Sequence, residues 1–150
     1  MDKIVFLDMD GVLNSGYYCK RNNCQRWLEE NKLQLIKKLV DETKAKVVLT
    51  SYRCQYNYQK NLIINDLRRF EIAVSGIIDF VNNKNIGVEN YLAKLEKDVN
   101  FVIIDDVDYG YKKTYPNHFI QTSQWWGLMG HHVEMARKIL QSPKSLYSPI

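Results

Sequence analysis

The sequence predicts one α/β domain, a mostly parallel sheet with helices packed on both of its faces in three layers. Two observations carry this reading. Short apolar runs, IVFL, KVVL and FVII, recur along the 150 residues, and segments with apolar residues at helical spacing lie between them. Alternating strands and helices imply right-handed crossovers, and therefore parallel strands covered above and below. A chain of this length is large enough to bury a real core.

The elements follow in order. Ile4 to Leu7 form an unbroken apolar run, as in a strand buried on both faces. A polar stretch to about Gln25 leads into RWLEENKLQLIKKLVDET, where Leu28, Leu35, Ile36, Leu39 and Val40 approximate helical spacing. AKVVLT is the second strand, and NYQKNLIINDLRRF a helix with Leu62, Ile63, Leu67 and Phe70 on one face. EIAVSGIIDFV is rich in β-branched residues and reads as a short strand or extended segment. GVENYLAKLEKD is a shorter helix, NFVIIDD a clear strand, HFIQT an edge strand and HHVEMARKIL the last helix. QSPKSLYSPI carries two Ser-Pro pairs and is expected to be a loose tail, which places the domain at 1–141 and the tail at 142–150.

Composition narrows the class. No apolar stretch approaches a membrane span and the N-terminal segment lacks a secretory pattern, so a cytoplasmic protein with no membrane association is expected. Cys19, Cys24 and Cys54 are odd in number and form no CxxC pair; reduced thiols are the default. The formal net charge is only +4, so an anionic partner has to be argued from where the charges lie. No obligate protein partner is indicated.

Ligands of open α/β sheets bind beyond the carboxyl ends of the strands. Three strands end there in suggestive residues: Asp8-Met9-Asp10-Gly11, Thr50-Ser51-Tyr52-Arg53 and Asp105-Asp106-Val107-Asp108. Each cluster alone reads equally as a turn or a helix cap. Their coincidence at strand ends is harder to dismiss. Extended backbone through Asp8-Met9-Asp10 puts both carboxylates on one side, which needs a cation, a proton or water between them. A calcium loop counted from Asp8 would want glycine sixth and glutamate twelfth, whereas Gly11 is fourth and Cys19 twelfth. Phosphoryl transfer suits the set. An aspartate can attack phosphorus, a second acid can handle the proton, Mg2+ can relieve the repulsion, and a hydroxyl and an ammonium can bind the phosphate oxygens. Gly11, Ser51 and Arg53 stand beside these groups as candidates for touching the substrate.

The order DMDGVL, VVLTS, a lysine, then VIIDD resembles the four motifs of the haloacid dehalogenase (HAD) superfamily of phosphatases and phosphotransferases. VVLTSYR, GVENYL before FVIIDDVD, and HFIQT followed by GLMGHHVEMARKIL resemble more closely the small HAD domains of multi-activity, or Swiss Army Knife, RNA repair proteins. The resemblance implies a Rossmann-like, HAD-like fold with Asp8 as nucleophile, Asp10 as general acid and base, Thr50 as the second-motif hydroxyl and Lys84 as the third-motif cation. Lys94 and Lys97 are poorer candidates for that cation. It further implies Mg2+ held by Asp8, the Asp10 backbone carbonyl and Asp106, with Asp105 in support. A response-regulator receiver would carry its paired acids after the first strand and its phosphorylated aspartate after a middle one, whereas here the adjacent pair, Asp105-Asp106, comes late, after the threonine. A metal nuclease or primase would carry a glutamate early and DxD late, the reverse of this chain.

Neither gap between motifs has room for a full cap, and an open site favours macromolecular ends or several small phosphates. Residues 11–28, 51–65 and 109–133 contain no acidic residue, yet hold Lys20, Arg21, Arg26, Arg53, Lys60, Lys112, Lys113 and eight of the ten tyrosines. A basic rim with aromatic rings suits a polyanion with stackable bases. For any single tyrosine, as for Trp125 and Trp126, packing of the loop is the default. The expected function is a Mg2+-dependent phosphomonoester hydrolase acting through an aspartyl-phosphate on nucleotide or nucleic-acid-end phosphates. The alternative is a nucleic-acid-binding HAD-fold module with little turnover.

Overall fold

The computed structural model describes residues 1–22 and 28–142. Five strands form one parallel sheet in the order β3-β2-β1-β4-β5: β1 (Asp2–Leu7), β2 (Lys46–Leu49), β3 (Val74–Ile77), β4 (Val99–Asp105) and β5 (Phe119–Gln121). The expected α/β architecture is therefore what the chain adopts, and the ambiguous EIAVSGIIDFV segment contributes β3 at one edge.

Alternation along the central strands divides the interior in two. Val5 and Leu7 of β1, Val47 and Leu49 of β2, and Val102 and Ile104 of β4 face one layer. There they meet α2 (Glu30–Thr43), α3 (Asn57–Arg69) and α6 (Gly130–Gln141) through Ile36, Leu39, Ile63, Leu67, Val133 and Ala136. Ile4, Phe6, Val48, Phe101 and Ile103 face the other, beneath α4 (Lys84–Ala93) and the short α5 (Tyr111–Thr114). Apolar burial on both faces explains why these strands read as continuous runs rather than as alternation.

Four local features depart from the sequence reading. The polar stretch after β1 contains a helix, α1 (Gly16–Asn22), opened by Ser15, whose Oγ accepts from the Tyr18 amide. The fourth helix begins at Lys84 because the Asn83 side chain caps it, accepting from the Ile86 amide at 3.2 Å. Leu62, expected on the apolar face of α3, is exposed, while Ile63 and Leu67 are buried. Cys54 is a free, buried thiol, but Cys19 is disulfide-bonded, against the expectation of reduced thiols; an odd count rules out complete pairing, not a single bridge. The tail at 143–150, with Arg26 and Cys24 of the basic stretch, lies outside the described residues. Among the described residues no helix is long and apolar enough to cross a membrane.

Register positions the site. Leu7 is level with Leu49 on one side and with Ile104 on the other, and Asp105 is level with Gln121. The Thr50 amide donates to Leu7 O at 3.0 Å and the Asp8 amide to Ile104 O at 3.2 Å. Thr50, Asp8, Asp105 and Gln121 therefore form one row across the carboxyl end of the sheet.

Candidate active site

Lys84 joins the row from α4. Its ammonium donates to Asp8 Oδ1 at 2.8 Å and to Asp105 Oδ2 at 3.0 Å, and all three side chains are buried, with Lys84 only 3 % exposed. The rings of Tyr52 and Tyr109 lie 5.1 and 5.2 Å from Nζ and wall the cation in. Lys94 and Lys97 are elsewhere, paired with Asp79 and with Asp2 at the amino end of β1. The helix cap at Asn83 thus selects which lysine reaches the acids.

Burial pushes the Asp8 carboxyl up to about 7, helped by the Asp105 charge and opposed by Lys84. Asp105 and Asp106 are raised as well, in each case chiefly by burial. Lys84 loses solvation, yet the two carboxylates outweigh that loss and hold it charged. One ammonium against three acids leaves negative charge unmatched. Among the described residues, Asp8, Asp105 and Asp106 each offer a carboxylate oxygen, and these oxygens lie within 4.8 Å of one another. A set of hard oxygen donors with surplus negative charge fits Mg2+.

Asp10 is used differently. Its carboxylate takes two bonds from Arg53, Nε to Oδ2 at 2.7 Å and Nη2 to Oδ1 at 3.2 Å, and one from Asn14 Nδ2 at 2.9 Å. Burial would raise its pKa, but Arg53 and Asn14 prevail and hold it below the ordinary carboxylate value. The side chain is therefore not part of the acidic trio, and half of it remains exposed. Met9, on the opposite side of the chain, is fully buried with Val5 and Leu7, as alternation requires.

The remaining candidates divide. Thr50 is fully buried and its Oγ1 has no hydrogen-bond partner among the described residues, an uncompensated cost at the centre of the row. Ser51 is occupied locally, its Oγ accepting from the Arg53 amide at 3.2 Å to start a turn of 3-10 helix at Tyr52–Gln55. Gly11 has φ +77°, and a Cβ there would come within 2.3 Å of Asp106 Oδ2, so only glycine lets the acid approach. Tyr111 is core and Tyr115 packs on Phe101, whereas Tyr17, Tyr52, Tyr56 and Tyr58 are exposed.

Sequence reasoning missed the second support of the Gly11 loop. Thr122 Oγ1 donates to Gly11 O at 2.6 Å and Gln121 Nε2 to Asp106 O at 3.0 Å. The amides of Gly16, Tyr17 and Leu128 bond to Gln124 O, Trp125 O and Val12 O. The loop after β1 and the loop after β5 are laced together. The only signal in the sequence was that HFIQT ends at the same edge as DMDG.

A family model described as the HAD domain in Swiss Army Knife RNA repair proteins matches residues 4–133. The chain belongs to this family. Comparison with curated proteins and with solved structures gives no significant match. The matched span of this HAD domain contains all five strands but for the first two residues of β1, together with Asp8, Thr50, Lys84 and the Asp105-Asp106 pair.

Proposed function

We propose that this HAD domain is a phosphomonoester hydrolase that works through an aspartyl-phosphate on Asp8, with nucleotide or nucleic-acid-end phosphates as substrates. The observation that carries the reading is the buried Lys84 bridging Asp8 and Asp105 beside Asp106 and the Thr50 hydroxyl, which has no partner among the described residues. Asp8 attacks phosphorus and the ester P–O bond breaks. Asp10, which must first take up a proton against the pull of Arg53, gives it to the leaving oxygen, then takes one from the water that attacks the acyl-phosphate, so that Asp8 is restored and inorganic phosphate leaves. Thr50 and Lys84 hold the transferring oxygens and counter their charge. Mg2+ held by Asp8, Asp106 and the Asp10 carbonyl, with Asp105 behind, would supply charge neutralisation when bound.

One observation favours a second reading, a nucleic-acid-binding module with little turnover: the bidentate Arg53 keeps Asp10 anionic, the state of a base rather than an acid. A single experiment separates them. Phosphate release from an aryl phosphate is expected to require Mg2+, to stop with chelator and to vanish in Asp8→Asn. Unchanged turnover in that variant contradicts the mechanism. Salt-dependent oligonucleotide binding without turnover over a broad phosphate panel supports the second reading.

A further inference from the structure

Beside the acid row the loop after β5 opens a cleft of about 610 Å³, within the range of small-ligand sites. Its walls include Thr122, Trp126, Met129, His131 and His132. It borders the candidate active site: Gln121 and Thr122, which line it, bond to Asp106 O and Gly11 O.

The chemistry of the walls is specific. The Trp126 indole is half-exposed, at 51 %, and forms part of the cleft wall. The Tyr17 ring packs beside it, 5.3 Å away at 35°, and the Arg21 guanidinium sits over Tyr17 and donates to its hydroxyl. Trp125 is exposed to a similar degree, at 43 %, but packs on Gly16, where a Cβ would come within 2.8 Å of its ring, and is not part of the cleft wall. Of the adjacent pair, one tryptophan anchors the loop and the other faces the cleft. The loop itself is fixed by the Gly127 amide on Ser123 O and by its bonds to the loop after β1. No acidic residue occurs from Tyr109 to Val133, whereas Lys112 and Lys113 are exposed there, so nothing in this loop repels a phosphodiester.

We propose that this cleft seats the base of the nucleotide whose phosphate meets Asp8, stacked on Trp126, so that the preferred end is an unpaired terminal nucleotide. This rests on the hydrolase reading for the position of the phosphate and adds a base subsite to it. A base in the cleft cannot remain stacked in a duplex, and base–aromatic stacking is worth about 1–3 kcal/mol, or about 5- to 150-fold in affinity.

The test measures binding rather than turnover, so it is decided even if the domain hydrolyses nothing. Fluorescently labelled single-stranded oligonucleotides with 5′- or 3′-phosphate are titrated into the whole chain at fixed salt, each beside the same strand lacking only its terminal base and beside a blunt duplex. The expected result is tighter binding of one base-bearing single-stranded end, by about tenfold over both its abasic and duplex counterparts. Trp126→Ala is expected to erase that preference and Trp126→Phe to keep most of it. Equal binding of base-bearing and abasic ends, preference for the duplex, or a preference that survives Trp126→Ala overturns the subsite. Loss of phosphatase activity in a separate assay bears on the hydrolase reading alone.

Discussion

The acid row and the tryptophan rim lie side by side at the same end of the sheet, yet they are built on opposite principles. In the row, Asp8, Lys84 and Asp105 are buried and bonded to one another, so their positions are set before any substrate arrives. At the rim, Trp126 is held by ring contacts and backbone bonds while its indole is left in solvent. Charges are costly to desolvate and must be matched within the fold, whereas an aromatic face can wait exposed at modest cost. The difference teaches that this fold fixes the acid row by burial and pairing, and leaves the aromatic rim exposed.

The sharpest way to break that contrast is to remove the central cation. Lys84→Met leaves Asp8 and Asp105 buried without their ammonium, and is expected to lower unfolding free energy by about 3–5 kcal/mol in urea titrations, an effect no single rim substitution should approach. Thr50→Val separates function from stability within the row. Because the hydroxyl has no partner among the described residues, the unfolding free energy should change little, by about 0.5 kcal/mol or less, while kcat on an aryl phosphate falls about 10²- to 10³-fold. Equal loss in both measurements would show that the hydroxyl is structural. The smallest effect is expected at the rim: Lys112→Ala with Lys113→Ala should flatten the salt dependence of oligonucleotide binding, by about 0.7 in the log–log slope for each phosphate no longer neutralised.

How much of this was legible follows from the same contrast. The row was readable because strand register converts residues far apart in sequence, Asp8, Thr50 and Asp105, into neighbours, and each directly follows an apolar run. The choice of Lys84 over Lys94 and Lys97 was not readable from charge; it depends on the Asn83 cap, which starts the helix three residues before GVENYL. The link from Thr122 to Gly11 spans 111 positions and has no local pattern. Arg53 was visible as a basic residue near the site, but its grip on Asp10 depends on the 3-10 turn begun by Ser51. The tyrosines divided as their burial dictates, with Tyr111 in the core, Tyr115 half-buried against it, and Tyr52 and Tyr109 around Lys84. Local chemistry at strand ends was therefore accessible, and loop-to-loop contacts were not.

The central claim is that Asp8 itself takes up the phosphoryl group. Quenching the protein with borohydride during turnover of an aryl phosphate in Mg2+ reduces an acyl-phosphate to an alcohol, and peptide mass mapping then locates it. The account predicts homoserine at position 8, dependent on both substrate and Mg2+. Steady phosphate release with Asp8 unreduced, or with the reduced residue at another aspartate, would contradict it.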